Sequence, residues 1–149
     1  GATQNDNIFF AYLDPQPNGA AFASVKHHLD LALKPNSVIT LTVTSLNHQQ
    51  ASYQLILNTP DSDKEGYSYQ QTFTIASHET KTVTLPIEQF QASYRGRNIP
   101  STHIKPLDSH HITSIGLRMV GRAQNHHGDT LYQKGLYGLK LKTIAWSVC

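Results

Sequence analysis

The residues with the clearest potential for chemistry lie in residues 93–108, SYRGRNIPSTHIKPLD. Arg95 and Arg97 flank a glycine, and two prolines and Asp108 follow, which predicts a shaped loop. Two guanidinium groups on one side of a tight turn can bind a carboxylate or a phosphate through paired hydrogen bonds. Alternatively, one of these arginines pairs with Asp108 and pins the loop to the fold. The second interpretation is favoured because Asp108 closes the same loop.

The histidines are candidate metal ligands. Nine are present, in part as adjacent pairs, and one pair lies in residues 121–134, a long polar stretch. Neighbouring residues in a strand point to opposite faces, so a pair in a regular strand does not readily bind one metal ion. In a loop this restriction is absent, and His126, His127 and Asp129 offer imidazole and carboxylate ligands for zinc or copper. Solvated loop histidines are the favoured alternative.

Aromatic side chains are candidates for carbohydrate contacts, because a sugar presents C–H patches beside its hydroxyl groups. In the stretch EGYSYQQTF, Tyr67, Tyr69 and Phe73 share one strand face. Phe73 continues the face as an apolar residue, which indicates that Tyr69 belongs to the core. The candidate ligand-binding residues are Tyr67, Tyr94, Arg95, Arg97, Arg118 and Tyr132.

Catalytic motifs are missing from the sequence. A glycosidase needs a carboxylate pair across a cleft, and the acidic residues fall mostly in apparent turns. Asp61 and Asp63 in TPDSDKEG predict a turn, or two oxygen ligands of a structural calcium ion. The Gly-x-Ser-x-Gly, His-Glu-x-x-His and phosphate-loop motifs do not occur. We therefore expect a protein that is not an enzyme and needs no cofactor beyond such a calcium ion.

Length and composition limit the protein class. The 149 residues fit one domain that can bury a single core. Cys149 is the only cysteine, so an intrachain disulfide is excluded. The apolar runs are too short to cross a bilayer, and we expect a monomer. Charged residues make up only 15% beside many neutral polar residues, which favours an exported protein, periplasmic or secreted, over a cytoplasmic one.

The net charge of +2 is unevenly distributed. Residues 1–94 carry four lysines and eight acidic groups, giving −4, whereas residues 95–149 carry eight basic and two acidic groups, giving +6. A basic half can meet an anionic partner. In a β domain, however, these cations scatter over opposite faces, and no nucleic-acid-binding motif is present. We expect no nucleic-acid partner.

Alternating hydrophobicity predicts an all-β fold. The segments SVITLTVTS, SYQLILNT, YQQTFTIA, TKTVTLP, HITSIGLRMV and LYGLKLKTIAW each place apolar residues at every second position. Arg118 falls on the face opposite to Ile115, Leu117 and Met119. Short strands separated by Asn, Gly, Pro and Asp clusters are typical of a sandwich or barrel. The one helical segment predicted is the single turn PIEQF.

Several segments together resemble a known family. In order they are NGAAFASVK, LDL, YQLILNT, TVTLPIEQFQASYRGR, PLD, ITSIGL and GLYGLKLKTI, and they run from residue 18 to residue 144. This set is similar to the complex I intermediate-associated protein 30 family. The resemblance implies an antiparallel β-sandwich, a jelly roll of the galactose-binding-like type related to some carbohydrate-binding modules. The family-like core covers about 18–146 within a single domain, 1–149.

Five positions depart from the pattern of that family. A glycine pair is replaced by Ala20 and Ala21, an arginine by Lys26, a second arginine by Asn58 and a tryptophan by Thr80. The resemblance implies that these changes remove guanidinium groups and an aromatic side chain from places where family members can bind a ligand.

Two functions compete at this stage. The first is a binding module that recognises a carbohydrate or a similar polar ligand through the sandwich face or its loops. The second is a protein-interaction or assembly-factor-like domain without a small ligand. The first predicts exposed aromatic residues over a polar groove, and the second predicts a continuous apolar patch.

Overall fold

The protein is described here from a computed structural model that covers residues 2–5, 8–13, 22–94, 97–99, 104–124 and 130–148. The strands are β1 (Ala2–Asn5), β2 (Ile8–Leu13), β3 (Phe22–Leu31), β4 (Ser37–Ser45), β5 (Ala51–Asn58), β6 (Ser68–Ile75), β7 (Thr80–Pro86), β8 (Gln91–Tyr94), β9 (Arg97–Asn98), β10 (Ile112–Val120), β11 (Arg122–Gln124), β12 (Thr130–Tyr132) and β13 (Gly135–Val148). The helical elements are α1 (Pro60–Glu65) and a 3-10 helix (Ile87–Gln89).

Two antiparallel sheets form the sandwich. One has five strands in the order β1-β2-β13-β4-β7, and the other has six in the order β3-β10-β5-β6-β8-β9. Strands β11 and β12 form a separate hairpin. The prediction of an antiparallel, jelly-roll-like β-sandwich is confirmed. Among the described residues, no helix is long and apolar enough to cross a membrane.

The core lies between the two sheets and follows the predicted alternation. In β4, Ile39, Leu41 and Val43 are buried while the threonines between them are partly exposed. Across the core, Phe9 of β2 meets Tyr53 of β5 edge to face, with ring centroids 6.3 Å apart. These aromatic contacts join the two sheets.

Strand β5 departs from simple alternation, because all eight of its residues are buried. Tyr53, Leu55 and Leu57 face the core. The side chains between them point to the opposite, outer face of the six-stranded sheet, because successive residues of a strand alternate between its faces. Along β5 that outer face carries Ser52, Gln54, Ile56 and Asn58, and it is closed to solvent.

The helical elements match the sequence expectation in part. The segment PIEQF contains the predicted helical turn as the 3-10 helix. The segment TPDSDKEG, for which a turn was one prediction, instead forms α1, with Thr59 as the N-cap and Gly66 as a left-handed C-cap. The Thr59 hydroxyl accepts from the Ser62 backbone N–H, and the Ser62 hydroxyl accepts from the Thr59 N–H. The reciprocal Thr59–Ser62 hydrogen bonds stabilise the start of the helix, and Pro60 at its first position favours helical backbone angles. The segment therefore forms a helix and not a turn.

Candidate functional site

The outer face of the six-stranded sheet carries a layer of polar side chains on its inner strands. Gln54 of β5 stands opposite Arg118 of β10, and Gln70 and Ser93 follow on β6 and β8. Gln54, Gln70, Ser93 and Arg118 are called the polar layer below. They come from four strands, so the layer exists only in the folded sheet.

Arg118 connects the members of the polar layer. Its Nε donates to Oε1 of Gln54 at 2.6 Å. One terminal nitrogen donates to Oε1 of Gln70 and, at 3.2 Å, to the hydroxyl of Ser93. The planar guanidinium thus spans the sheet from β10 to β8, which the point charge of a lysine could not do with the same geometry.

The polar layer is closed to solvent. The exposed fractions are 6% for Gln54, 6% for Gln70, 1% for Ser93 and 4% for Arg118. Burial lowers the pKa of Arg118 to about 10, because removing the guanidinium from water disfavours its charged form. The side chain remains protonated at neutral pH, so the layer holds a buried cation fixed by amide and hydroxyl acceptors.

Exposed polar side chains border this layer on the same face. Thr72 of β6 pairs with Gln54, and Gln91 of β8 pairs with Gln70. Directly paired residues of neighbouring antiparallel strands lie side by side on one face. Both Thr72 and Gln91 are exposed. They therefore face solvent beside the fixed layer, and Thr72 and Gln91 are called the polar rim.

Further hydrogen bonds close the layer at its two ends. At the α1 end, Asn58 donates to the hydroxyls of Ser62 and Ser68 and accepts from Ser114 at 3.1 Å. At the opposite end, the Gln133 amide bonds both backbone groups of Ser52, with distances of 2.8 and 3.2 Å. Among the described residues, no buried side-chain nitrogen or oxygen lacks a hydrogen-bond partner. The buried polar side chains of the outer face are consequently all hydrogen-bonded.

Two of the tyrosine candidates, Tyr67 and Tyr94, are described in their side chains and are not members of the polar layer. Tyr67 is partly buried and packs against the core, with its ring edge to face with that of Tyr69 at 5.6 Å. The Tyr69 hydroxyl donates to the Lys105 carbonyl at 2.9 Å, and burial raises the pKa of Tyr69 above its ordinary value. Tyr94, 54% exposed, lies at the end of β8. A carbohydrate contact by Tyr67 or Tyr94 stays a prediction.

The other sequence candidates are described incompletely or lie outside the described residues. Arg95, His126, His127 and Asp129 lie outside them. Arg97 and Tyr132 are described in their backbones, as parts of β9 and β12. Three expectations therefore stay predictions. They are ligand binding by Arg95 and Arg97, an ion pair of one of them with Asp108, and the metal site in residues 121–134.

Asp108 has histidine partners in the structure. Its carboxylate bonds Nδ1 of His111 at 2.8 Å and accepts from the backbone N–H of His110 at 3.1 Å. The hydrogen bond to His111 is the main cause that lowers the pKa of Asp108, and the His110 N–H adds to it. These contacts tie the end of the 104–111 loop to itself.

The aspartates proposed for calcium lie in α1. Asp63 accepts from the Thr113 hydroxyl at 2.7 Å, and its other oxygen lies 3.9 Å from the Lys26 ammonium. Within the described part of the chain, no three His, Cys, Asp or Glu side chains come close enough together to hold a metal ion. Calcium binding at Asp61 and Asp63 stays a prediction. In the structure, the Asp63 carboxylate contacts the Thr113 hydroxyl and the Lys26 ammonium.

Sequence reasoning identified Arg118 but missed the other members of the polar layer. The positions of two glutamines in their strands could have indicated these members. Gln54 and Gln70 occupy the polar positions of alternating strands, and both are long enough to reach a neighbouring strand. The pairing of those strands, which brings the amides to Arg118, could not be inferred from any single segment.

A second surface feature lies at one end of the sandwich. A shallow depression of about 340 Å³ is lined by residues of the β4–β5 loop and the start of β13, including Leu46 and Leu136. Leu46 is 42% exposed and Leu136 is 71% exposed. Gln49 donates to the Tyr137 hydroxyl at 3.0 Å beside them. This end therefore combines exposed leucines with fixed polar groups.

Comparison with known proteins agrees with the sequence resemblance. The sequence profile of the complex I intermediate-associated protein 30 family matches residues 2–139. The chain belongs to the complex I intermediate-associated protein 30 family. A comparison with curated protein sequences found no match.

Solved structures show the same fold in carbohydrate-binding proteins. The family 11 carbohydrate-binding module from Clostridium thermocellum, in complex with a β-1,3-1,4-mixed-linked tetrasaccharide, has a TM-score of 0.57 at 14% identity, covering 95% of this chain and 74% of that chain. The family 11 module of the cellulase Lic26A-Cel5E of the same organism gives 0.57 and 14%, covering 95% and 72%. The agarase AgWH50C gives 0.58 at 9%, covering 99% of this chain and 23% of the enzyme. At these identities the similarity shows the fold alone.

Three positions where this chain departs from the complex I intermediate-associated protein 30 pattern can be located. Asn58 belongs to the hydrogen-bonded cluster at the α1 end, and Lys26 lies beside Asp63. Thr80 bonds the hydroxyl of Thr44 at 2.8 Å on the five-stranded sheet. These residues fill structural roles with shorter side chains. Ala20 and Ala21 lie outside the described residues.

Proposed function

We propose that this chain is a non-catalytic binding module that takes a carbohydrate, or a ligand with similar hydroxyl groups, on the outer face of its six-stranded sheet. The observation that carries the proposal is the polar layer, with Gln54 and Gln70 fixed by Arg118. The layer fixes the strands that carry the exposed rim side chains, so these side chains can pair with sugar hydroxyls at little cost in ordering. The rim side chains of Thr72 and Gln91 are the groups that reach the ligand.

The outer face of the five-stranded sheet is less suited to this role. Its described side chains include threonines that bond one another, Thr42 with Thr82 at 3.1 Å and Thr44 with Thr80 at 2.8 Å. Short hydroxyls paired with each other offer no planar amide to a sugar. This contrast favours the six-stranded face.

The polar layer also supports a binding role over a catalytic one. Its members are two amides, a hydroxyl and a guanidinium, and none of these four is a carboxylate. Glycoside hydrolysis requires two carboxyl groups that flank the bond to be cleaved. The layer can therefore support a sugar-binding rim without supplying the acid and the base. Polysaccharide ligands would agree with the exported location that the composition favours.

The experiment is a glycan array followed by calorimetry. The probes are a mixed-linked β-1,3-1,4 tetrasaccharide and agaro-oligosaccharides, chosen because the structural neighbours include a module bound to the first and an agarase. We expect saturable binding to one probe class, weakened at least about tenfold by Gln91→Ala through loss of its hydrogen bonds.

The matched control is Thr82→Ala, an exposed side chain on the outer face of the other sheet. It should bind as the unaltered chain does. Absence of binding to every glycan on the array, or equal loss in Gln91→Ala and Thr82→Ala with both variants folded, contradicts the proposal.

A second candidate is a protein-interaction domain, favoured by the exposed Leu46 and Leu136 at the end of the sandwich. The family name refers to an intermediate-associated protein, which is consistent with such a role. A double substitution, Leu46→Ser with Leu136→Ser, should abolish capture of a specific partner from the native extract. Capture that survives this change would remove the apolar end from consideration.

A further inference from the structure

Two histidines from different loops meet at the end of the sandwich. His48 lies in the β4–β5 loop and His78 in the β6–β7 loop, and both are exposed. Nδ1 of His48 and Nε2 of His78 lie 3.1 Å apart, with ring centroids at 4.8 Å and ring planes at 77°. Their nearest ring nitrogens therefore face each other within hydrogen-bonding distance, at a place that solvent can reach.

The backbones that carry these histidines are held by one buried residue. Asn47 is buried; its Nδ2 donates to the Tyr53 hydroxyl at 2.8 Å, and its Oδ1 accepts from the Gly138 N–H at 2.8 Å. The backbone carbonyl of Asn47 accepts from the Ser77 hydroxyl at 3.1 Å and from the His78 N–H at 3.2 Å. One anchor in the core thus fixes the start of one loop and the tip of the other.

The conformation of His78 is itself unusual. It has a positive φ of 54° and is the one non-glycine residue with positive φ among those described. A left-handed conformation is disfavoured for residues with a side chain and persists only where the surroundings enforce it. Here the turn is closed by Glu79, whose N–H bonds the Ala76 carbonyl and whose carboxylate accepts from the Ala76 N–H. The imidazole is presented to His48 from a fixed backbone.

The nitrogen separation fits a shared metal ion. Zinc–imidazole bonds are about 2.0–2.1 Å long, so two ligand nitrogens are roughly 2.9 Å apart at a right angle and roughly 3.4 Å apart at the tetrahedral angle. The observed 3.1 Å lies between these limits. Imidazole nitrogen is a preferred ligand of Zn²⁺, Cu²⁺ and Ni²⁺.

We propose that His48 and His78 form a two-histidine site for a divalent transition-metal ion of this group. In the metal-free protein the same pair forms a hydrogen bond from a protonated ring nitrogen to an unprotonated one. On binding, that proton moves through solvent to the other nitrogen of its ring, both exposed rings turn so that their lone pairs point at the ion, and the two facing nitrogens become ligands. Since no third His, Cys, Asp or Glu joins the pair within the described residues, water completes the coordination.

The test uses the whole 149-residue chain. Zn²⁺ affinity is measured by calorimetry, and Cu²⁺ is added at substoichiometric amounts to locate the site by paramagnetic broadening of backbone amide NMR signals. We expect broadening of residues 47–49 and 77–79 before all others. His78→Asn removes the imidazole but keeps the backbone, because asparagine tolerates positive φ. His48→Gln removes the other ligand, and His28→Gln alters an exposed histidine of β3 as the control.

Each ligand variant should weaken Zn²⁺ binding at least about tenfold, since even the loss of a group that merely orients a ligand costs about that much. His28→Gln should leave the affinity unchanged. Unchanged affinity in His48→Gln or His78→Asn overturns the proposal, as does Cu²⁺ broadening confined to other histidines or the absence of heat at millimolar Zn²⁺. Thermal melts of each variant establish that loss of binding is not loss of the fold.

Discussion

The Arg118 guanidinium and the Gln54 amide join two neighbouring strands across the outer face of the six-stranded sheet, with Nε 2.6 Å from Oε1. The guanidinium also reaches Gln70 and Ser93, so one side chain links β10, β5, β6 and β8. Burying the Arg118 guanidinium in the sheet face has a free-energy cost, because the charge loses its contact with water. The lowered pKa of Arg118 reflects this cost. Its acceptors offset that cost, and the amides gain fixed orientations in return.

Replacing Arg118 by methionine tests how strongly this layer supports the fold. The substitution keeps much of the side-chain length but leaves the oxygens of Gln54 and Gln70 without their donor. Because a buried polar group without a partner costs about 1–3 kcal/mol, we expect Arg118→Met to lower the free energy of unfolding by an amount in that range. Chemical denaturation with a fluorescence readout measures it.

Arg118→Lys is the informative comparison. A lysine keeps the charge but lacks the planar guanidinium that donates to acceptors on three strands. The Arg118→Lys variant should therefore have a lower free energy of unfolding than the unaltered chain. If Arg118→Lys unfolds at the same denaturant concentration as the unaltered chain, the geometry of the guanidinium is unimportant and charge alone is sufficient.

The close contact between β3 and β10 gives a second prediction. Gly116 lies opposite Lys26 in the ladder, and a Cβ placed on Gly116 would lie 2.4 Å from the Val25 carbonyl oxygen. Because that atom belongs to the backbone of a paired strand, it cannot rotate away. Gly116→Ala should force the strands apart and cost about 1–3 kcal/mol, as overpacking does.

Gly66 is the matched control for this change. A Cβ on Gly66 would meet no atom within 4 Å, yet the residue has a φ of +82°. Gly66→Ala is therefore destabilised only by backbone strain, about 1–2 kcal/mol, and Gly66→Asn should recover most of that loss. Amide hydrogen exchange should distinguish the two variants. Gly116→Ala should lower the protection of the β3 amides, and Gly66→Ala should lower that of the α1 amides. Equal protection of β3 in both variants would contradict the proposed clash.

The sequence contained enough to place most of the core. Alternation alone located β4, β6, β7, β10 and β13, because a half-buried strand repeats its apolar residues every two positions. It correctly put Arg118 on the face opposite to Leu117 and Met119. The same rule was of limited use for β5, where Ile56 interrupts the alternation and both faces are buried.

What the sequence could not supply is contact between distant segments. The polar layer needs the register of four strands, and the meeting of His48 with His78 needs two loops 30 positions apart. Adjacent histidine pairs attracted attention in the sequence, whereas the pair that meets in the structure is not adjacent. The helix α1 was taken for a turn because Asp, Ser and Gly favour turns, and its reciprocal Thr59–Ser62 cap became visible only in the structure.

The N-cap of α1 gives a third prediction. The Thr59 hydroxyl accepts from the Ser62 N–H at 3.2 Å, which satisfies one of the free donors at the helix start. Thr59→Ala should reduce the free energy of unfolding by about 0.5–2 kcal/mol. Thr59→Ser keeps the hydroxyl and should remain close to the unaltered chain. A Ser variant as unstable as the Ala variant would show that the threonine methyl, and not the cap, is responsible.

Asp108 gives a prediction about pH. Its carboxylate is bonded by His111 Nδ1 and by the His110 N–H, and these contacts lower its pKa in the folded state. An unfolded aspartate titrates at about 3.9. When the pKa of a group is lower in the folded state than in the unfolded state, the group stabilises the fold at pH values above its unfolded pKa. That contribution disappears as the pH falls through the folded pKa. The contribution of Asp108 is therefore complete near pH 6 and lost in strong acid.

Asp108→Asn should remove this dependence. At pH 6 the variant should be less stable than the unaltered chain, and the difference should shrink as the pH falls through the lowered pKa of Asp108, because the carboxyl group then becomes protonated in the folded state as well. The effect should be small and should shrink in high salt, since the carboxylate and both histidines are largely exposed. Urea denaturation at a series of pH values from 6 into strong acid measures it, with Glu88→Gln, an exposed carboxylate of the 3-10 helix, as the control. A stability difference that stays constant over the whole series would mean that the Asp108 charge has no part in it.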